Sequence, residues 1–294
     1  MPILKDQSTN WDFQVDNIAA PDFQHDGITV KPDHFLNVRR DTGEVLGVTS
    51  KRYGVVQNRE LIGVAEDAFI KARQDLGDFD RSVIVTGSGE RLFATYDFKN
   101  RKRKLKVGDE VGMRLTLQNS FDTTLRLSFA IGALRLVCTN GMSTMERDVD
   151  MTSKHNSNVN IGFLVDAVKV AVERFEIACK AFDKLSQVQF DHDKGFNVLN
   201  RLAKSKALSD RQSSKIAGIW ASPDYKEDEA RSLWNLYNAT TQYLTREVEG
   251  KRFELSNRVN LNVLKHLSRI ATKGEIDQWT APVAVEGIQG VAVN

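Results

Sequence analysis

Leu164, Val168, Ala171, Phe175, Ala178, Phe182 and Leu185 recur at spacings of 4, 3, 4, 3, 4 and 3. That period places them on one stripe of an α-helix, and the stripe must pack on something, either a sheet or another copy of the chain. Upstream the chain follows a different rule. Val111, Met113, Leu115 and Leu117 alternate with Gly112, Arg114, Thr116 and Gln118, and Leu125, Leu127, Phe129 and Ile131 alternate with Arg126, Ser128 and Ala130. This is the two-residue period of half-buried strands. A strand-rich part followed by a helix-rich part predicts an α+β fold: a mostly antiparallel sheet with a bulged hairpin, packed against a C-terminal helical region. The bulge is expected at Gly132, beyond which the apolar parity shifts to Leu134 and Leu136.

Smaller signals fill in the rest. Phe35–Val38 and Val45–Val48 flank Asp41-Thr42-Gly43 and predict a hairpin. Leu61, Ala65, Ala68, Phe69, Ala72 and Leu76 predict a helix capped by Asn58. Strands at 82–86 and 91–96 flank Gly87-Ser88-Gly89-Glu90. No helix pattern follows those glycines, so they read as a turn rather than a phosphate loop. Helices are expected near 196–202, 209–220 with Ser209 as cap, 227–244 and 256–270. The resulting division is an N-terminal arm at 1–30, a β-rich core with one helix at 31–155, a helical region packed on it at 156–280, and a tail at 281–294.

The 294 residues contain 41 basic and 39 acidic side chains, and this near-neutral total conceals a patch. Residues 1–98 have a net charge of −5, residues 99–136 of +6, and the remainder is balanced. The positive window includes Lys99-Asn100-Arg101-Lys102-Arg103-Lys104-Leu105-Lys106, which lies between two predicted strands. Clustered Lys and Arg bind phosphates by displacing condensed counterions. Arg101, Lys102, Arg103, Lys104 and Lys106 are therefore candidate phosphate ligands, and Arg114, Arg126 and Arg135 are candidates to guide a strand across the sheet. Phe121, Tyr53 and Tyr96 are candidate stacking platforms, although such residues more often pack in cores.

Other chemistries leave weaker traces. On a strand, Glu146, Asp148 and Asp150 would share a face and could hold a divalent ion, as in a metal-dependent nuclease. Neighbours in Asp191-His192-Asp193 point away from one another, so the triplet is no triad. No nucleophile-elbow, Walker or dinucleotide motif is present, and the expectation is a non-enzyme without cofactor. Two cysteines, Cys138 and Cys179, make no disulfide framework. No apolar run is long enough for a membrane span, and the first residues lack a signal-peptide pattern. A cytoplasmic protein with no membrane partner is expected.

Four strings, taken together, resemble the phage/plasmid-like family designated domain of unknown function 932. They are Arg52-Tyr53-Gly54-Val55-Val56-Gln57-Asn58, Leu117-Gln118-Asn119-Ser120-Phe121-Asp122, Leu134-Arg135-Leu136-Val137-Cys138-Thr139-Asn140-Gly141, and Trp234-Asn235-Leu236-Tyr237-Asn238-Ala239-Thr240 with Tyr243. The resemblance covers about residues 35–270. It implies residence in phages, prophages or plasmids and brings no catalytic residues. Relatives tend to read Asn-Ser-His-Asp-Gly at the hairpin tip, where this chain has Phe121 and Thr123, so no histidine chemistry is carried over. From the residues themselves, Cys138 reads as a small core residue, Thr139-Asn140-Gly141 as a turn, and Asn119 and Asp122 as closing a polar turn or, with Asn140, lining a groove.

The expectation is a DNA-metabolism protein that binds single-stranded nucleic acid, of the annealing or recombination type, and forms a homo-oligomer through the 164–185 helix. Two alternatives stay open: an anti-restriction protein acting through a protein interface, and the metal-dependent nuclease.

Overall fold

The computed structural model describes residues 10–135, 141–143, 152–247 and 253–282. The chain divides into two compact units. The first runs to Lys104 and resumes over Glu110–Cys179; the second takes Leu105–Asp109 and everything from Lys180. The fold is α+β, with antiparallel sheets and C-terminal helices.

The first unit opens with strands β1 (Val15–Ala19), β2 (Phe23–His25), β3 (Ile28–Val30), β4 (Phe35–Arg39) and β5 (Val45–Thr49). β1, β4 and β5 form a three-stranded sheet in that order, and β2 and β3 form a separate two-stranded ribbon. The turn between β2 and β3 is Asp26-Gly27, with φ of 50° and 78°. Two successive left-handed residues are what a tight hairpin turn requires, and Asp and Gly supply them. One face of the three-stranded sheet turns inward: Val15 and Leu46 pack with Phe13 and Phe121 in a small core.

Helices α1 (Asn58–Lys71) and α2 (Arg73–Leu76) follow. Leu61, Ala65, Ala68, Phe69 and Leu76 are all buried, as their spacing predicts. The cap differs from expectation. Gln57, not Asn58, occupies the N-cap position and makes no capping bond through its side chain. That side chain instead pairs with both backbone groups of Val15, as a neighbouring strand would.

The main sheet comprises β6 (Phe79–Thr86), β7 (Arg91–Lys104), β8 (Glu110–Ser120), β9 (Leu127–Arg135), β10 (Gly141–Ser143) and β11 (Thr152–Ser153). Its path is β10-β9-β8-β7-β6, with β11 also pairing β9. Register aligns Ala94, Leu117 and Phe129 in one cross-strand row and Tyr96, Leu115 and Ile131 in the next. All six are buried. Phe69 of α1 presents its ring edge to Phe79, Tyr96 and Phe98 at 5.6, 4.9 and 5.4 Å, so this face of the sheet is an aromatic core.

The bulge lies elsewhere than expected. Pairing of β8 with β9 runs without interruption through Gly132, opposite Arg114. The parity inference failed because Arg135, a charged residue, takes the inward position and is 0% exposed. The irregularity falls in β7: Phe98 pairs Met113 and the next pair is Lys102 with Gly112, so residues 99–101 face no partner on β8. The bulge thus belongs to the preceding β7–β8 hairpin, inside the basic stretch, and not to β8–β9.

Helix α3 (Phe163–Gln187) carries the heptad-like stripe, and Leu164, Val168, Ala171, Phe175, Ala178, Phe182 and Leu185 are all buried in the single chain. The stripe is thus used within the chain and is not free to meet a second copy.

The second unit contains α4 (His192–Lys204), α5 (Asp210–Ala221), a short 3-10 helix (Lys226–Ala230), α6 (Leu233–Glu247), α7 (Phe253–Lys273) and α8 (Ile276–Thr280). Ser209 caps α5 in a reciprocal box with Gln212, as the sequence predicts. The turn residues Leu105–Asp109 are fastened inside this unit. The Lys106 amide donates to Asp183 at 2.8 Å, and Trp234 Nε1 donates to Asp109 at 2.6 Å. No helix among the described residues is long and apolar enough to cross a membrane.

Candidate nucleic-acid interface

Residues beyond the bulge keep the strand alternation. Lys102 and Lys104 are exposed, while Arg101 and Arg103 are half-buried. Two strand residues span about 7 Å, so Lys102 and Lys104 form a short ladder of positive charge on one side of β7. Arg103, on the other side, ion-pairs with Glu176 of α3. Among the described residues, the side chains of Arg101, Lys102 and Lys104 have no hydrogen-bond or ion-pair partner. Lys106 is also exposed but lies in the turn that belongs to the second unit.

The three arginines expected to extend this patch do not form a track. Arg114 sits opposite Asp97 across the β7–β8 ladder and donates to both carboxylate oxygens, at 2.5 and 2.7 Å. A cross-strand pair of this kind stabilises the sheet by about 0.2–1 kcal/mol and neutralises the guanidinium. Arg126 is exposed but precedes β9, off the ladder. Arg135 is wholly buried. Alternation alone could not reveal these neutralising carboxylates, because pairing partners depend on register.

The proposed stacking platforms are core residues. Phe121 and Tyr96 are 0% exposed. Tyr53 is half-buried; its hydroxyl donates to the Ser120 carbonyl at 2.5 Å and its ring stacks on His155 at 5.1 Å. Burial holds the Tyr53 phenol above its ordinary pKa and pushes the His155 imidazole below its own. His155 Nδ1 lies 3.2 Å from the Gly54 carbonyl, while Nε2 is buried and has no hydrogen-bond partner among the described residues. His155 was not singled out from sequence, where it is one histidine in a polar run.

The four shared strings converge on structural work. Asn119 is fully buried and donates to the Val56 carbonyl and to Asn58 Oδ1, each at 2.9 Å. It therefore lines no groove. Asp122 closes its own turn by accepting from the Thr124 amide and hydroxyl and also holds Arg91 at 2.7 Å. In the second unit Asn235 and Asn238 converge on buried Asp228, and Tyr237 donates to Asn260 at 2.6 Å. Cys138, Thr139 and Asn140, together with the acids Glu146, Asp148 and Asp150, lie outside the described residues. Among the described residues no group of three or more His, Cys, Asp or Glu is placed to hold a metal ion. His192 does touch Asp193, at 3.1 Å, contrary to the expectation for neighbours, but Asp193 is almost entirely solvent-exposed and no nucleophile joins them.

No curated protein and no solved structure shows significant similarity to the chain. Residues 45–268 match the domain of unknown function designated DUF932, and this span contains the buried polar networks of both units; the chain belongs to that family.

Proposed function

We propose that the chain binds single-stranded nucleic acid through the end of β7, as a DNA-metabolism protein of a phage or plasmid acting in the host cytoplasm. One observation carries the reading. Arg101 lies within a bulge and Lys102 and Lys104 directly follow it, and none of the three is neutralised by a carboxylate among the described residues. Arg103, Arg114, Arg39 and Arg91, by contrast, are each paired with a carboxylate. An unpaired cation cluster suits a polyanion, and a strand edge of small extent suits a backbone contact rather than base readout.

The reading is narrower than the sequence suggested. It rests on three side chains instead of eight, and it includes no stacking platform. Fluorescence anisotropy with a labelled oligothymidylate at low salt is expected to show binding that Lys102→Ala/Lys104→Ala weakens about tenfold or more, with the melting temperature unchanged because both side chains are exposed. Binding unaltered by this substitution would remove the site from the account.

A further inference from the structure

The corner between α4 and α5 and the first turns of α7 line a cleft of about 520 Å³, wholly inside the second unit. That volume falls within the range of small-molecule sites, ~300–1,000 Å³, and leaves room for an organic body as well as a charged group. Local rules build its walls. α4 ends at Lys204, and the chain turns back with the Ala207 and Leu208 amides both donating to the Leu202 carbonyl, at 3.0 and 3.2 Å. Lys206 makes this turn with a φ of 62°, the left-handed conformation that helix ends of this kind usually give to glycine. A lysine kept there strains the backbone while bringing a long cationic side chain to the cleft. On the facing wall, Leu255, Arg258, Val259 and Asn262 recur at helical spacing and share one side of α7.

The chemistry of the lining is mixed in a particular way. Ala203, Ala207, Leu208 and Val259 are buried and, with half-buried Leu255, make an apolar floor. Lys206 and Arg258 are exposed, one on each wall. Ser209 and Gln212 also line the cleft, but their side chains are engaged with α5 in its capping box. The side chains of Lys206, Arg258, Asp210 and Asn262 have no hydrogen-bond or ion-pair partner among the described residues. Two cations against one carboxylate favour an anion, and a phosphomonoester has enough acceptor oxygens to meet both. The Asp210 carboxylate repels phosphate but accepts from hydroxyl groups, so a fitting ligand carries donors away from its phosphate. The apolar floor calls for a ring or other dry body between them.

We propose that this cleft binds a nucleoside monophosphate, with the phosphate between Lys206 and Arg258, the sugar hydroxyls toward Asp210 and the base over Leu255 and the apolar floor. The site is independent of the basic strip on β7, whose Arg101, Lys102 and Lys104 belong to the first unit.

Isothermal titration calorimetry of the full chain with AMP at low ionic strength tests the proposal. The expected result is one site per chain, bound more tightly than either adenosine or inorganic phosphate alone. Lys206→Gly is the telling variant, because glycine suits the left-handed turn: its melting temperature should equal or exceed that of the wild type while AMP affinity falls about tenfold, and Lys206→Gly/Arg258→Gln should lose more. Lys102→Ala/Lys104→Ala should bind AMP as the wild type does. The proposal is overturned by the absence of AMP binding, by affinity unchanged in Lys206→Gly/Arg258→Gln, or by inorganic phosphate binding as tightly as AMP. Oligothymidylate binding that this double variant weakens, with no binding of AMP, would assign the cleft to a strand and overturn it too.

Discussion

Asn119 shows what the family strings do in this chain. A buried amide with two acceptors satisfied on the α1 side joins the end of β8 to the start of α1. Replacing it by Ala leaves the Val56 carbonyl and the Asn58 side chain short of a donor in a dry site, at a cost of about 2–3 kcal/mol. Urea denaturation of Asn119→Ala should register that loss. His155 makes a pH prediction. Its pKa is depressed by burial, so below about 6.5 the unfolded chain binds a proton that the folded chain resists. Stability contributed by the neutral ring is full above the unfolded value and falls as pH drops from there toward the folded one. Melting temperatures between pH 7.5 and 5 should fall more steeply for the wild type than for His155→Phe, which keeps a ring against Tyr53 and has nothing to protonate. Equal slopes would remove His155 from the acid response. Asp41 marks the opposite case. The guanidinium of Arg39 holds its carboxyl down to about 2, so this pair stays intact over that whole range.

At the scale of elements, close approaches decide what the sequence can tolerate. A Cβ on Gly47 of β5 would stand 2.3 Å from the Phe121 carbonyl and 2.7 Å from Asp122 Cα, both backbone atoms that cannot rotate away. Gly47→Ala should therefore destabilise by about 1–3 kcal/mol through overpacking, measurable by thermal denaturation. The elements themselves were readable wherever a period was long. The α3 stripe, the β8 and β9 alternation, the α1 face and the Ser209 cap all stand where spacing put them. The misplaced bulge has one cause: a polar residue occupying an inward position. Arg135 at the inner face of β9 mimicked a parity slip and moved the bulge to Gly132, while the real one lies in β7 among charged residues that have no apolar parity to break. The β2–β3 hairpin was legible in Asp26-Gly27, but the prolines on either side interrupt the alternation that would have announced it.

For the molecule as a whole, segmental charge counting located the basic window, and the geometry then thinned it. Charge can be counted from composition, but neutralisation depends on register and on residues far away in the chain, such as Asp97 for Arg114 and Glu176 for Arg103. The patch left on the first unit consists of Arg101, Lys102 and Lys104, and this number fixes the strength of the electrostatic contact. A single strand loses about 0.7 in logarithmic slope for each phosphate engaged, so three contacts give a dependence of log affinity on log salt of about −2. The decisive measurement is that slope, from anisotropy titrations of an oligothymidylate at several potassium chloride concentrations, for wild type and for Lys102→Ala/Lys104→Ala. The account predicts a slope near −2 that is reduced in the variant; a flat dependence, no binding at low salt, or the same slope in both proteins would contradict it.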